Sequence, residues 1–174
     1  MSEKLRLSDL NPKRPVPFDL RPDASQMEEM RGTLDLLGLR KVRFSGNLQA
    51  RGKRDWELTA RIGATVIQPC GVTLEPVTTR IEEDVRRLYV AEWVDPEDAE
   101  VEMPEDDTTE PLPVMLDLVE VAQEALSLAL PMFPRADDAA FDGALITEPG
   151  AEPMTDEAAK PFAGLAALKQ RMEE

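Results

Sequence analysis

The stretch from Leu39 to Val66 limits the fold more than any other part of the chain. Val42, Phe44 and Leu48 share one parity, and Lys41, Arg43, Ser45 and Asn47 take the other. After the charged break ARGKRD the alternation resumes. Trp56, Leu58, Ala60, Ile62, Ala64 and Val66 oppose Glu57, Thr59, Arg61, Gly63 and Thr65. A period of two is that of a strand, and a helix would scatter these residues around its axis. The pair reads as a β-hairpin.

The apolar parity also limits the register. A slip of one residue moves every side chain to the other face, so even positions must oppose even positions and the loop must have odd length. A three-residue Arg51–Gly52–Lys53 turn pairs Phe44 with Ala60 and Arg43 with Arg61; a five-residue loop sets the two arginines on a diagonal. Either way the polar face gathers Lys41, Arg43 and Arg61, with Arg51, Lys53 and Arg54 at the tip. These six are the candidate nucleic-acid-binding residues. Like charges close across strands repel, so an anion must sit near them. RNA phosphate is one source; Glu57, Glu82 or Asp84 of the same chain is the other. Trp56 and Phe44 lie on the apolar parity and read as core rather than as base-stacking platforms.

Elsewhere the elements are shorter. Four prolines, Pro12, Pro15, Pro17 and Pro22, keep residues 1–22 extended, with a short edge strand around Lys4–Leu10. Asp23 and Gln26 make a capping box for a helix with the stripe Met27, Met30, Leu34, Leu37 and a C-terminal cap at Gly38. A third strand region spans Val72–Val90, broken by Pro76, with a helical reading of 81–90 as the alternative. Residues 92–110 hold ten acidic residues and two prolines and read as a mobile acidic loop. A second helix covers Leu116–Leu130, capped by Asp117, with Leu118, Val121, Ala122, Ala125 and Leu128 as its apolar stripe. The tail 151–174 carries a last stripe, Phe162, Leu165, Leu168 and Met172. The expected division is a single domain over 1–135 and a linker with an amphipathic helical tail over 136–174.

Composition narrows the chemistry. The chain has 174 residues, one cysteine and no histidine. A Cys–His nucleophile pair is therefore impossible within it, and carboxylates with one thiolate are a poor set for zinc. No Gly-rich phosphate loop, nucleophile elbow or metal-binding spacing occurs, so no cofactor, no metal and no enzymatic activity are expected. The single cysteine and the lack of an apolar leader or span suggest a cytoplasmic, membrane-free protein. Net charge is −15, split as +3 over residues 1–90 and −18 over 91–174. Such asymmetry points to nucleic-acid contact or to an acidic interaction segment. The acidic run reads as a solvated loop, a site for a basic protein, or a mimic that folds over the basic hairpin.

The segments "DLVEVAQEALSLALPMFP" (117–134) and "KPFAGLAALK" (160–169) carry a resemblance. Together they resemble the YceD family, the large ribosomal RNA subunit accumulation proteins. The resemblance implies a role in accumulating 23S ribosomal RNA, through pre-rRNA or an assembling large-subunit particle, without catalysis. A basic ribosomal protein is the alternative partner. Many members carry Cys-x-Arg-Cys in the bend after the hairpin. Here Cys70 matches the first cysteine, Thr73 stands in place of the second, Val72 replaces the arginine and Pro76 matches a closing proline. No metal or redox role carries over, and Cys70 is read as a small apolar filler. The expected architecture is α+β: a meander-like antiparallel sheet, open or closed like a barrel, with two packing helices, an acidic loop and a C-terminal helical tail.

Overall fold

A computed structural model describes residues 4–93 and 108–140. In chain order the elements are β1 (Lys4–Arg6), a 3-10 turn (Leu7–Asp9), β2 (Val16–Leu20), α1 (Ala24–Thr33), β3 (Gly38–Arg51), β4 (Asp55–Pro69), β5 (Pro76–Val90), β6 (Thr109–Pro111), β7 (Met115–Asp117) and α2 (Leu118–Ala129). Strands β2 to β6 form one five-stranded sheet in sequence order, and β1 pairs with β7 in a separate ribbon. All pairs are antiparallel except β5–β6, which is parallel. The fold is α+β with an open sheet; no barrel closure is found among the described residues.

The expected hairpin is β3–β4. Even positions oppose even positions through its main part, with Phe44 opposite Ile62, Leu48 opposite Leu58 and Ala50 opposite Trp56. Arg51 pairs with Asp55, which leaves a three-residue turn, Gly52–Arg54. The turn sits one residue further along than Arg51–Lys53, and the register is the one that sets Arg43 diagonal to Arg61. Gly52 has φ +60, the left-handed conformation that tight turns require. The third strand starts at Pro76 and runs unbroken to Val90, so the helical reading of 81–90 is corrected. Proline is tolerated there because it is the first residue of the strand. The part before it, Gly71–Thr73, is a turn.

The even face of the hairpin is the core. Phe44, Leu48, Leu58, Ile62, Ala64 and Val66 are fully buried, joined by Phe18 and Leu20 of β2 and Ile81 and Tyr89 of β5. The rings of Phe18 and Phe44 sit 5.3 Å apart between centroids. At about 1.5–3 kcal/mol for each large side chain, this layer supplies most of the driving force. Gly46, on the same face, opposes Ala60 and lies so close that an added Cβ would stand 2.2 Å from the Thr59 carbonyl oxygen. Here the two backbones approach to a distance that only glycine permits.

Both helix caps are as read, but α2 starts at Leu118 rather than Leu116, because Leu116 and Asp117 belong to β7. Asp23 accepts hydrogen bonds from Ser25 and Gln26 N–H at 2.8 and 2.9 Å, and the Gln26 side chain returns one from the Asp23 N–H. Asp117 accepts from Val119 and Glu120 N–H. The end of α1 and the apolar stripe of α2 differ. Helix α1 stops at Thr33, and Asp35 at φ 50 makes the left-handed step, not Gly38, which opens β3. Leu36 is then buried and Leu37 exposed, because the chain has already turned into the sheet. On α2, Leu126 is buried and Leu128 is 83% exposed, so the stripe runs Leu118, Val121, Ala122, Ala125, Leu126. The N-terminal edge strand is also corrected: β1 covers only Lys4–Arg6 and pairs with β7, and the sheet edge is β2. Thr109 and Glu110, at the end of the run read as acidic loop, enter β6. Most of that run and the tail stripe Phe162–Met172 lie outside the described residues.

Candidate nucleic-acid interface

The odd positions of β3 and β4 and the even positions of β5 share the face opposite the core. Across it, Arg43 aligns with Gly63 and Glu82, and the next row holds Ser45, Arg61 and Asp84. The sheet thus brings Arg43, Arg51 and Arg61 onto one surface and leaves Lys53 and Arg54 in the turn.

The anion that the arginines require is supplied within the chain. Arg43 Nε donates to Asp19 at 2.8 Å and holds that carboxyl below its usual range. Arg51 Nε donates to Glu57 at 2.6 Å, and Arg86 Nε donates to the other oxygen at 2.9 Å. Glu57 is the one buried charged residue among those described; the Arg51 bond first and the Arg86 bond second lower its pKa. Arg61 lies 3.6 Å from both Glu82 and Asp84, and Arg54 lies 3.6 Å from Glu92. Lys41 and Lys53 make no ion pair among the described residues. Apart from Glu57, these groups are substantially exposed. Such pairs contribute about 0–1 kcal/mol and are screened by salt, so an incoming anion can displace them.

The structure adds two cations that periodicity alone leaves out. Between Arg40 and Arg43 the register shifts by one residue, a β-bulge with Lys41 at φ 53. Leu39 and Val42 are both buried, and the two residues between them, Arg40 and Lys41, are both exposed. Arg40 thereby shares a row with Thr65 and Arg80. The Arg80 guanidinium bonds Glu82, with one contact of 3.0 Å, and reaches the Lys41 carbonyl at 3.4 Å. It lies over Gly63, where an added Cβ would stand 2.7 Å from Nη2. The bulge end of the face therefore holds Arg40, Lys41 and Arg80 together, with Arg43 close by. A signal existed in the sequence: the apolar parity changes between Leu39 and Val42, as a bulge demands.

Cys70 is fully buried, but it is not simply an apolar filler. Its Sγ accepts from the N–H groups of Val72, Thr73 and Ala136 at 3.4, 3.5 and 3.5 Å. Hydrogen bonds from the Thr73 hydroxyl first, then from the three N–H groups, lower its pKa to about 6. Thr73, in the place of the second family cysteine, lies against the first. Gly71 N–H also bonds the Pro134 carbonyl at 2.9 Å, so the bend is tied to the chain beyond α2. Among the described residues no three His, Cys, Asp or Glu side chains gather closely enough to hold a metal. The folded-state pKa is depressed, so the thiolate's contribution to stability is full above the unfolded value of about 8.5 and is lost as pH falls through about 6. Cys70→Ala should lower the melting temperature by a few degrees at pH 8 and by less at pH 5.5. Thermal scans at the two values check this; an equal loss at both would show that the thiol is neutral in the fold.

These observations define an α+β protein whose open sheet buries one face and presents a charge-laced face to solvent. No described helix is long and apolar enough to cross a membrane. A model of the family described as "Large ribosomal RNA subunit accumulation protein YceD" matches residues 58–169, from β4 to the C-terminal motif, and the chain belongs to this family. Membership implies a role in accumulation of large-subunit ribosomal RNA, and the family is named for that role rather than for an enzymatic activity. No curated protein and no solved structure gave a match.

Proposed function

We propose that the chain supports large-subunit ribosomal RNA accumulation as a non-enzymatic binding factor, contacting RNA phosphates with the polar face of β3–β5. The observation that carries this reading is the bulge at Arg40–Lys41, which sets two consecutive cations beside Arg80 on the exposed face. Arg43, Arg51, Lys53, Arg54 and Arg61 extend the cationic track towards the hairpin tip. Exchange of Asp19, Glu82 or Asp84 for a phosphate oxygen costs little, because the pairs are solvent-exposed. The remaining acidic charge of the chain favours contact with few phosphates rather than many.

Binding of the full chain to 23S rRNA fragments, measured across a salt series, tests the proposal. Log K should fall linearly with log salt, with a slope of about −2 to −4 for a few phosphate contacts. No binding at low salt would overturn the RNA reading and direct the search to basic ribosomal proteins.

A further inference from the structure

Strand β5 is paired along its whole length with β4, but on its other side it meets only β6, at Leu88–Val90. The direction of the free backbone groups follows from two bonds. Leu88 donates its N–H to the Thr108 carbonyl at 2.8 Å, and the Val90 carbonyl accepts from Leu112 at 2.9 Å. Even positions of β5 thus turn their N–H and C=O outward. Arg86, Asp84, Glu82, Arg80 and Thr78 do the same, and no strand pairs with them among the described residues. An edge of this length is a template for another strand.

A groove of about 460 Å³ runs beside this edge, between β5, β6 and α2. Val85, Ala125, Leu128 and Ala129 line it with apolar surface, and Leu128 is 83% exposed. Its charge is acidic. Arg87 is held by Glu110 and by Glu124, the latter at 3.2 Å, so it has no free charge to offer. Glu83, on the groove side of β5, makes no ion pair among the described residues, while Asp84 and Arg86 carry their side chains on the opposite face. An added strand would send alternate side chains over Val85 and Leu128 and past Glu83.

From this we infer that the open edge of β5 binds an extended segment of another protein, one in which apolar and basic residues alternate. Main-chain bonds to Arg86, Asp84, Glu82 and Arg80 supply the affinity, and Glu83 with the groove selects a basic, apolar sequence. This site uses the backbone edge of β5, whereas the proposed RNA contacts use side chains of the polar face, Arg80 among them; the inference does not rest on RNA binding.

The test uses the full chain and a nine-residue synthetic peptide alternating lysine and valine, with amide hydrogen exchange as the readout. The amides of Arg80, Glu82, Asp84 and Arg86 should exchange rapidly in the free protein and slow by tenfold or more with saturating peptide. The odd-numbered amides, bonded to β4, should not change. Asp84→Pro removes an outward N–H without touching the β4 bonds and should abolish the protection. Glu83→Lys should weaken peptide binding roughly tenfold, with the melting temperature retained as a control for folding. Three results would overturn the inference: even-numbered amides already protected without peptide, as self-pairing or a second copy would produce; no protection with the lysine–valine peptide; or equal protection by a glutamate–valine peptide.

Discussion

Replacing Arg40 and Arg80 together by glutamine should weaken binding to 23S rRNA fragments tenfold or more near 0.1 M salt and make the salt slope shallower by about 2. The two side chains share a row across β3, β4 and β5, so both can face one stretch of RNA backbone. Neither carries the fold. Arg40 is exposed without an ion pair among the described residues, and the bonds of Arg80 to Glu82 and the Lys41 carbonyl are at the surface. The melting temperature should therefore stay within a degree or two of the parent. Lys13→Gln/Arg14→Gln provides the control, since it removes the same charge from the exposed connection between β1 and β2. If the control loses as much affinity as the bulge pair, overall charge rather than this face governs binding.

Gly46→Ala should be among the most damaging single substitutions in the sheet, costing about 3 kcal/mol, or roughly 10 °C in melting temperature. The added methyl would meet the Thr59 carbonyl at 2.2 Å, the Ala60 Cα at 2.5 Å and the Ala60 Cβ at 2.6 Å. Two of these contacts are backbone, so no rotamer change relieves them. Strands β3 and β4 must part, and Phe44 and Leu58, buried in the same sheet face, lose packing with them. Gly32→Ala makes a clean contrast: nothing lies within 4 Å of its Cβ position, in a helix that gains from alanine. Urea denaturation of the two variants should show opposite shifts of the midpoint. A stable Gly46→Ala protein would mean that the strands separate more cheaply than their packing implies.

The meander was legible because a half-buried strand writes its burial into the parity of its residues. Trp56 to Val66 did so without interruption, and the parity alone restricted the hairpin to the correct set of registers. The bulge is less visible, since one extra residue leaves only a change of parity, and periodicity alone does not assign Arg40 to the polar face. Helix α2 shows a different limit. Leu126, Leu128 and Leu130 are equally apolar, and only the position of the sheet decides that Leu126 is covered while Leu128 is not. Strands β6 and β7 are three residues each and too short for periodicity to register. The bonding of Cys70 could not be read at all, because one of its donors, the Ala136 N–H, is remote in sequence. The parity of the strands places Arg43 on the polar face, but it cannot announce that Asp19 will neutralise it from another strand.

The β1–β7 ribbon has a consequence for how the chain assembles. The hairpin turn at Gly52–Arg54 closes over three residues, whereas Lys4 meets Asp117 only after nearly the whole described chain has been placed. Loop-closure entropy makes that second contact costlier by about 3 kcal/mol. The salt bridge of Lys4 to Asp117, at 3.0 Å with Lys4 largely exposed, returns little of this. Leu7, just after β1, and Leu116, in the middle of β7, are each 3% exposed and return more by entering the core. Asp117 also caps α2 through local bonds from Val119 and Glu120 N–H, so one carboxylate serves both the helix start and the ribbon. The N-terminal strand should therefore act as a clasp, and its amides should lose hydrogen-exchange protection before those of the meander as the protein is destabilised.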